Sequence, residues 1–194
     1  FLFNTNFEIK GGLDMIKKDS SFFNLNSKLV INFKSNSNLS NGFLFTNTKS
    51  TNLLKDDYSS TSVNSFGFTT NIKKLDNQFN PTKGYKIKSE IAYGWKETYS
   101  SDTITSNILR SPNFNGNLSF TTYLSLVKRT TFKLKLSGST IQNNILYENE
   151  LTRIGGYKTL RGFNEESIWV SSFILGNLEF RYLIDEKSNI FLFS

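Results

Sequence analysis

The sequence predicts an all-β chain folded as an antiparallel transmembrane β-barrel. Three observations carry that reading. Apolar and polar residues alternate with a period of two along about nine segments. Most segments are ~9–12 residues long, the length a tilted strand needs to cross a bilayer, whereas strands of soluble sandwiches centre on ~5–6. The connections also alternate, short turns at one end and long loops at the other, which is the asymmetry of outer-membrane barrels. The apolar face then meets lipid and the polar face a watered lumen.

In chain order, residues 1–10 set Phe1, Phe3, Phe7 and Ile9 against Asn4, Asn6, Glu8 and Lys10. Residues 25–34 set Leu25, Leu29, Ile31 and Phe33 against Asn26, Lys28, Asn32 and Lys34. Segments 42–49 and 63–73 show a weaker pattern. Residues 85–96 show the strongest: Tyr85, Ile87, Ile91, Tyr93 and Trp95 on one face, Lys86, Lys88, Glu90 and Lys96 on the other. Segment 117–128 is weaker again, and 131–137 sets Phe132, Leu134 and Leu136 against Lys133 and Lys135. Residues 174–184 set Ile174, Leu178, Phe180, Tyr182 and Ile184 against Asn177, Glu179 and Arg181, and 189–194 forms a last short strand. Short turns are expected near 34–42, 74–84, 128–131 and 185–189, and long loops near 11–21, 50–62, 98–116 and 142–172. A lysine at mid-depth on the lipid face costs ~2–4 kcal/mol, so the lysines of 85–96 share the lumenal side. Tyr85 and Trp95 fall where aromatic girdles are expected. A β-sandwich with its polar face in water fits the same periodicity; strand length and loop asymmetry favour the barrel.

Composition narrows function. The chain of 194 residues is 37% hydrophobic and 15% aromatic, with 19 Phe, too rich in β-formers for a disordered chain. No apolar run is long enough for a transmembrane helix. The first residues carry no signal-peptide pattern, and the chain reads as the interior of a longer protein. With no Cys and no His, disulfides, thiolate metal sites and the commonest general base are excluded. These absences argue against most enzymes, carboxylate chemistry staying open, and no metal, no cofactor and no enzymatic activity are expected. The net charge of +7 is dispersed along alternating segments rather than gathered in a patch, so nucleic acid is not an expected partner. The wealth of Asn, Lys and Phe points to an AT-rich Gram-negative genome, Bacteroidota being the expectation.

Three motifs stand in order. The first, LDNQFNPTKGYKI at 75–87, holds Asp76, Asn80, Pro81 and Gly84 in a tight turn between strands, with Pro setting φ and Gly allowing positive φ. The second, RIGGYKTLRGFNEES at 153–167, places Gly155 and Gly156 ahead of Leu160, Arg161, Gly162 and Phe163 in a connection of about thirty residues, a length usually reserved for function. The third, GNLEFRYLI at 176–184, puts Glu179 on the polar face. By themselves these are an ordinary turn, a solvated loop arginine, and a lumenal carboxylate paired with its neighbour Arg181. Together they resemble the BamA-like barrels of the BamA/TamA superfamily. That family carries a D-x-x-x-x-P-x-x-G turn, an (V/I/L)-RG-(F/Y) loop motif after paired glycines, and an inward carboxylate on the following strand. The resemblance covers roughly residues 60–194.

The resemblance implies a barrel of about 16 strands, of which residues 1–194 supply about nine. It implies a loop, about 143–172, folded back into the lumen, with Glu179 as the partner of Arg161. The family's periplasmic POTRA repeats, its terminal barrel strands and the Asp of its aromatic-x-D-x-G strand are expected to lie outside these residues. The implied function is assembly of other outer-membrane proteins: unfolded β-barrel clients inserted through a lateral gate into outer-membrane lipids, with accessory lipoproteins as further partners. A TamA-like factor or a two-partner-secretion exporter shares the loop motif, and a passive porin-like channel is the more distant alternative.

Overall fold

A computed structural model describes residues 6–18, 22–52, 60–99, 108–157, 159–185 and 188–193. The strands are β1 Asn6–Lys18, β2 Phe22–Asn36, β3 Leu39–Asn52, β4 Ser60–Leu75, β5 Gly84–Tyr99, β6 Ile108–Val127, β7 Thr130–Asn143, β8 Thr152–Ile154, β9 Ile168–Val170, β10 Ser172–Leu183 and β11 Asn189–Phe193. Nine of them form one antiparallel sheet in the order β1-β2-β3-β4-β5-β6-β7-β10-β11. The remaining two, β8 and β9, pair with each other within the long connection from β7 to β10.

The register sorts side chains as a bilayer demands. Ile9, Ile31, Phe43, Phe68 and Ile91 lie on one row across five strands, each opposite the next. On this outer face Ile174 is 87% exposed. Phe43 packs edge-on against both Phe33 and Phe68, with ring centroids 5.8 and 6.1 Å apart, so neighbouring strands interlock through their aromatics. Charges on the outward parity keep to strand ends. Lys49, Lys74, Glu97 and Arg110 all lie within three residues of a terminus, and Arg110 pairs with Glu97 at 3.0 Å.

The inward face is polar. Among the described residues the buried apolar set is Leu44, Ala92 and Ile154, whereas Ser65, Lys96, Thr131 and Glu179 are all nearly inaccessible. The polarity is thus inverted relative to a soluble domain. Curvature shows in Lys28 of β2, which reaches over β3 and β4 to both carboxylate oxygens of Glu90 on β5, at 2.8 and 3.0 Å. Gly67 of β4 faces Ala92 on β5 so closely that an added Cβ would lie 2.2 Å from the Ile91 carbonyl oxygen.

Several expected boundaries shift. The eight longer strands of the sheet run from 12 to 20 residues, longer than the bilayer minimum. The loop expected at 11–21 is strand as far as Lys18, and within that expected at 98–116 residues 98–99 end β5 and 108–116 begin β6. Leu13 and Met15 in the first stretch and Phe114 in the second continue the outward apolar row, but Gly11 and Gly12, and Pro112 and Gly116, interrupt the pattern that marks a strand in sequence. The turn expected at 34–42 shrinks to Ser37 and Asn38. The expectations for Phe1, Phe3, Asn4 and Ser194, and for the middles of the loops at 50–62 and 98–116, lie outside the described residues.

Candidate functional site: a lumenal loop pinned to the barrel wall

The connection between β7 and β10 is built rather than loose. It leaves β7 through a 3₁₀ turn, Glu148–Glu150, then forms the β8–β9 hairpin in register Thr152–Val170, Arg153–Trp169 and Ile154–Ile168. Arg153 lies over the Trp169 ring, 4.4 Å from its centroid. Beyond the hairpin Gly155 and Gly156 adopt φ of 122° and 83°, a region that side chains with a Cβ avoid. Space is short as well. A Cβ on Gly155 would lie 2.3 Å from the Asn164 carbonyl oxygen, and one on Gly156 would overlap the Glu165 carboxylate. The glycines therefore let the tip fold over itself. The Gly155 N–H donates to Thr159 Oγ1 at 2.8 Å, that hydroxyl donates to the Gly155 carbonyl at 2.7 Å, and the Gly156 N–H donates to the Phe163 carbonyl at 3.1 Å.

The tip presents Arg161 to the wall. Its Nη2 donates to Glu179 Oε1 on β10 at 3.1 Å, and its Nε donates to the Tyr157 carbonyl at 3.3 Å. The guanidinium lies 4.4 Å from the Phe193 ring centroid, 5.0 Å from that of Tyr157 and 5.4 Å from that of Phe191. Cation–π contact of this kind adds attraction while keeping water from the charge. Asn177 Nδ2, on the same face of β10, donates to the Thr159 carbonyl at 3.4 Å. Leu160 is half-buried, whereas Gly162 and Phe163 are exposed.

Glu179 is 3% exposed and serves more than Arg161. Lys133 Nζ, directly across from it on β7, donates to Oε1 at 3.0 Å. Arg181 donates to Oε2 from Nε at 2.9 Å and from Nη2 at 2.6 Å. One carboxylate thus accepts four charge-assisted hydrogen bonds from three cations, a cluster with surplus positive charge. Lys133, Phe191 and Phe193 were not singled out from sequence. Parity alone places Lys133 on the Glu179 face, but its register against β10 is invisible across the long loop.

The turn residues form a separate structure at the short-turn end of the strands, away from the root of the loop. Asp76 accepts from the N–H of Asn77 at 2.9 Å, the N–H of Thr82 at 3.0 Å and the Thr82 hydroxyl. Its slight burial favours the neutral acid, but the hydrogen bonds from Thr82, Lys83 and Asn77 outweigh that and hold the carboxyl below its ordinary value. Gly84 closes the turn with φ of 114°. Asn80 and Pro81 are buried, and Asn80 Oδ1 accepts from Asn189 Nδ2 at 2.6 Å. That contact joins the turn to β11, the strand that carries the aromatic shelf under Arg161.

Beside the loop a polar cavity of about 370 Å³ remains, lined on the wall by Asn24, Asn26, Thr48, Asn113 and Asn115 and on the loop by Glu150, Arg153 and Glu166. Its size and donors suit water rather than an apolar ligand. Among the described residues no group of His, Cys, Asp and Glu is placed to hold a metal ion. No curated protein matches the chain. The Omp85 superfamily domain, however, matches residues 7–192, which take in the nine-stranded sheet and the whole inward loop, and the chain therefore belongs to the Omp85 superfamily.

Proposed function

We propose that this barrel is a BamA-like assembly factor that folds unfolded β-barrel clients and releases them into outer-membrane lipid through a lateral gate. Membership of the Omp85 superfamily supports an outer-membrane barrel of the insertion or translocation kind. The observation that favours assembly over passive diffusion is the occupied lumen: the tip of loop 144–171 is pinned by Arg161 to Glu179. A porin-like channel needs that space open. Insertion would proceed by strand addition, in which a client strand pairs with an exposed barrel edge whose N–H and C=O groups lack partners. Exposing such an edge within hydrocarbon is costly, so a barrel braced from inside can open one seam without collapsing. The activity is not enzymatic, and its partners are lipid, client chains and accessory lipoproteins.

The test reconstitutes the full-length protein in lipid vesicles with a urea-denatured outer-membrane barrel as client, its folding followed by heat-modifiable gel mobility. Acceleration of about tenfold or more over empty vesicles is expected, equivalent to ~1.4 kcal/mol of barrier. Arg161→Ala lowers that acceleration. A client that folds no faster than in empty vesicles overturns the reading. Because a polar cavity persists beside the loop, a translocation barrel of the TamA or two-partner-secretion kind is the second reading. Transport of an unfolded secreted polypeptide into the vesicle lumen, without client insertion, would favour it. Single-channel conductance before and after deletion of residues 145–170 separates both from a porin, which conducts with the loop in place.

A further inference from the structure

The loop is held at a second place, far from Arg161. Lys96 faces the lumen from β5 and is 1% exposed. Its Nζ donates to the Ile145 carbonyl at 2.8 Å and to the Glu150 carboxylate, and lies 4.4 Å from the Tyr147 ring centroid. The same carboxylate accepts from the Tyr147 N–H at 2.9 Å, while the Glu150 N–H donates to the Tyr147 carbonyl at 3.0 Å, so the ion pair also closes the 3₁₀ turn. A buried ammonium is tolerated only with its charge and donors matched, and Ile145, Tyr147 and Glu150, which meet this one, all belong to the loop.

The two attachments sit at opposite ends of the wall. Lys96 is three residues from the long-loop end of β5, at Tyr99. Glu179 is four residues from the short-turn end of β10, at Leu183. β6 and β7 lie between the two strands. Between the anchored residues Glu150 and Arg161 the chain passes through Gly155 and Gly156, both at positive φ. We propose that Lys96 is a positioning residue that tethers the root of the loop independently of its tip. The tip can then leave Glu179 and pivot at the paired glycines while residues 144–151 stay on the wall. The inference rests on the loop's own contacts and not on client insertion, so its test needs no client.

Hydrogen–deuterium exchange on the full-length protein in nanodiscs reads the two ends separately. The amides of Tyr147, Glu150 and Leu151 report on the root, and those of Gly155, Gly156 and Thr159 on the tip. Arg161→Ala should speed exchange at the tip by roughly tenfold or more and leave the root within about twofold, and Lys96→Met should do so first at the root. Where Lys96→Met fails to fold, Glu150→Gln weakens the same pair. In planar bilayers Arg161→Ala should give partial openings, and Lys96→Met with Arg161→Ala the full conductance of the loop deletion. Equal loosening of root and tip by Arg161→Ala overturns the proposal. So does a double variant that conducts no more than Arg161→Ala alone.

Discussion

Glu179→Ala should destabilise the barrel more than Arg161→Ala, although each removes one end of the same 3.1 Å pair. Removing Arg161 loses its hydrogen bond to Glu179, ~1.5–3 kcal/mol at most and less in a lumen with water access, along with a longer one to the Tyr157 carbonyl of its own loop. Its stacking on Phe193 adds ~0.5–1 kcal/mol. Glu179 keeps Lys133 and Arg181, so no buried charge is orphaned. The total is about 2 kcal/mol. Removing Glu179 leaves three cations facing one another without their shared anion, and stranding buried charge in this way costs ~3–5 kcal/mol. The gap should be about 2 kcal/mol, read from urea unfolding in lipid vesicles by fluorescence of Trp95 and Trp169. In Glu179→Ala, a second change of Arg161→Ala should then cost little, because its anion is gone. An Arg161→Ala cost equal to or above that of Glu179→Ala would refute the shared-anion account.

The remaining predictions concern the turns and the lumen. Because the folded-state pKa of Asp76 is held below its ordinary 3.8, its contribution is fully present above that pH and is lost as pH falls through the depressed value. The stability gap between wild type and Asp76→Asn should therefore shrink from pH 7 to pH 3 in urea titrations; an unchanged gap removes the carboxylate from the account. Arg129, in the two-residue turn between β6 and β7, has φ of 69°, and Arg129→Asn should stabilise by up to about 1 kcal/mol, with loss of stability on that change as the contrary result. With residues 145–170 deleted the pore should prefer anions, since the inward rows carry Lys28, Lys86, Lys88, Lys133 and Lys135 against fewer acids. A reversal potential showing cation preference would count against that.

The sorting of lysines from aromatics was legible from the sequence because lipid forbids the alternative: a charge on the outer row at mid-depth has no water to turn to. The ends of some strands were illegible because glycines break the alternation: Gly11 and Gly12 sit together in β1, and Gly116 takes an outward place in β6. Pro112 also argues against strand in sequence, yet it sits in β6 opposite Trp95 with its carbonyl accepting from Asn143 Nδ2 at 2.9 Å. At the site, alternation places Glu179 inward, and the motif resemblance connects it to Arg161. The other partners needed distances no local pattern carries. Lys133 and Glu179 are 46 residues apart in sequence, and Lys96 and Glu150 are 54 apart.

The positive charge of the chain is best understood as a property of the wall. Residues 144–171 contain four glutamates against Arg153, Lys158 and Arg161, so the basic surplus lies wholly outside the loop. Outward rows cannot carry charge at mid-depth, which drives the lysines of the strands inward and leaves a basic lumen around a slightly acidic insert. The long-range field thus draws the loop in as a whole, whereas the pins run in both senses: Lys96 of the wall to Glu150 of the loop, and Arg161 of the loop to Glu179 of the wall. Salt separates these two effects. At 1 M the screening length falls to about 3 Å, which removes the field and spares contacts made at bonding distance in a crowded lumen. A loop that stays seated at high salt is therefore held by its pins, and the field's part is confined to guiding it there as the barrel forms.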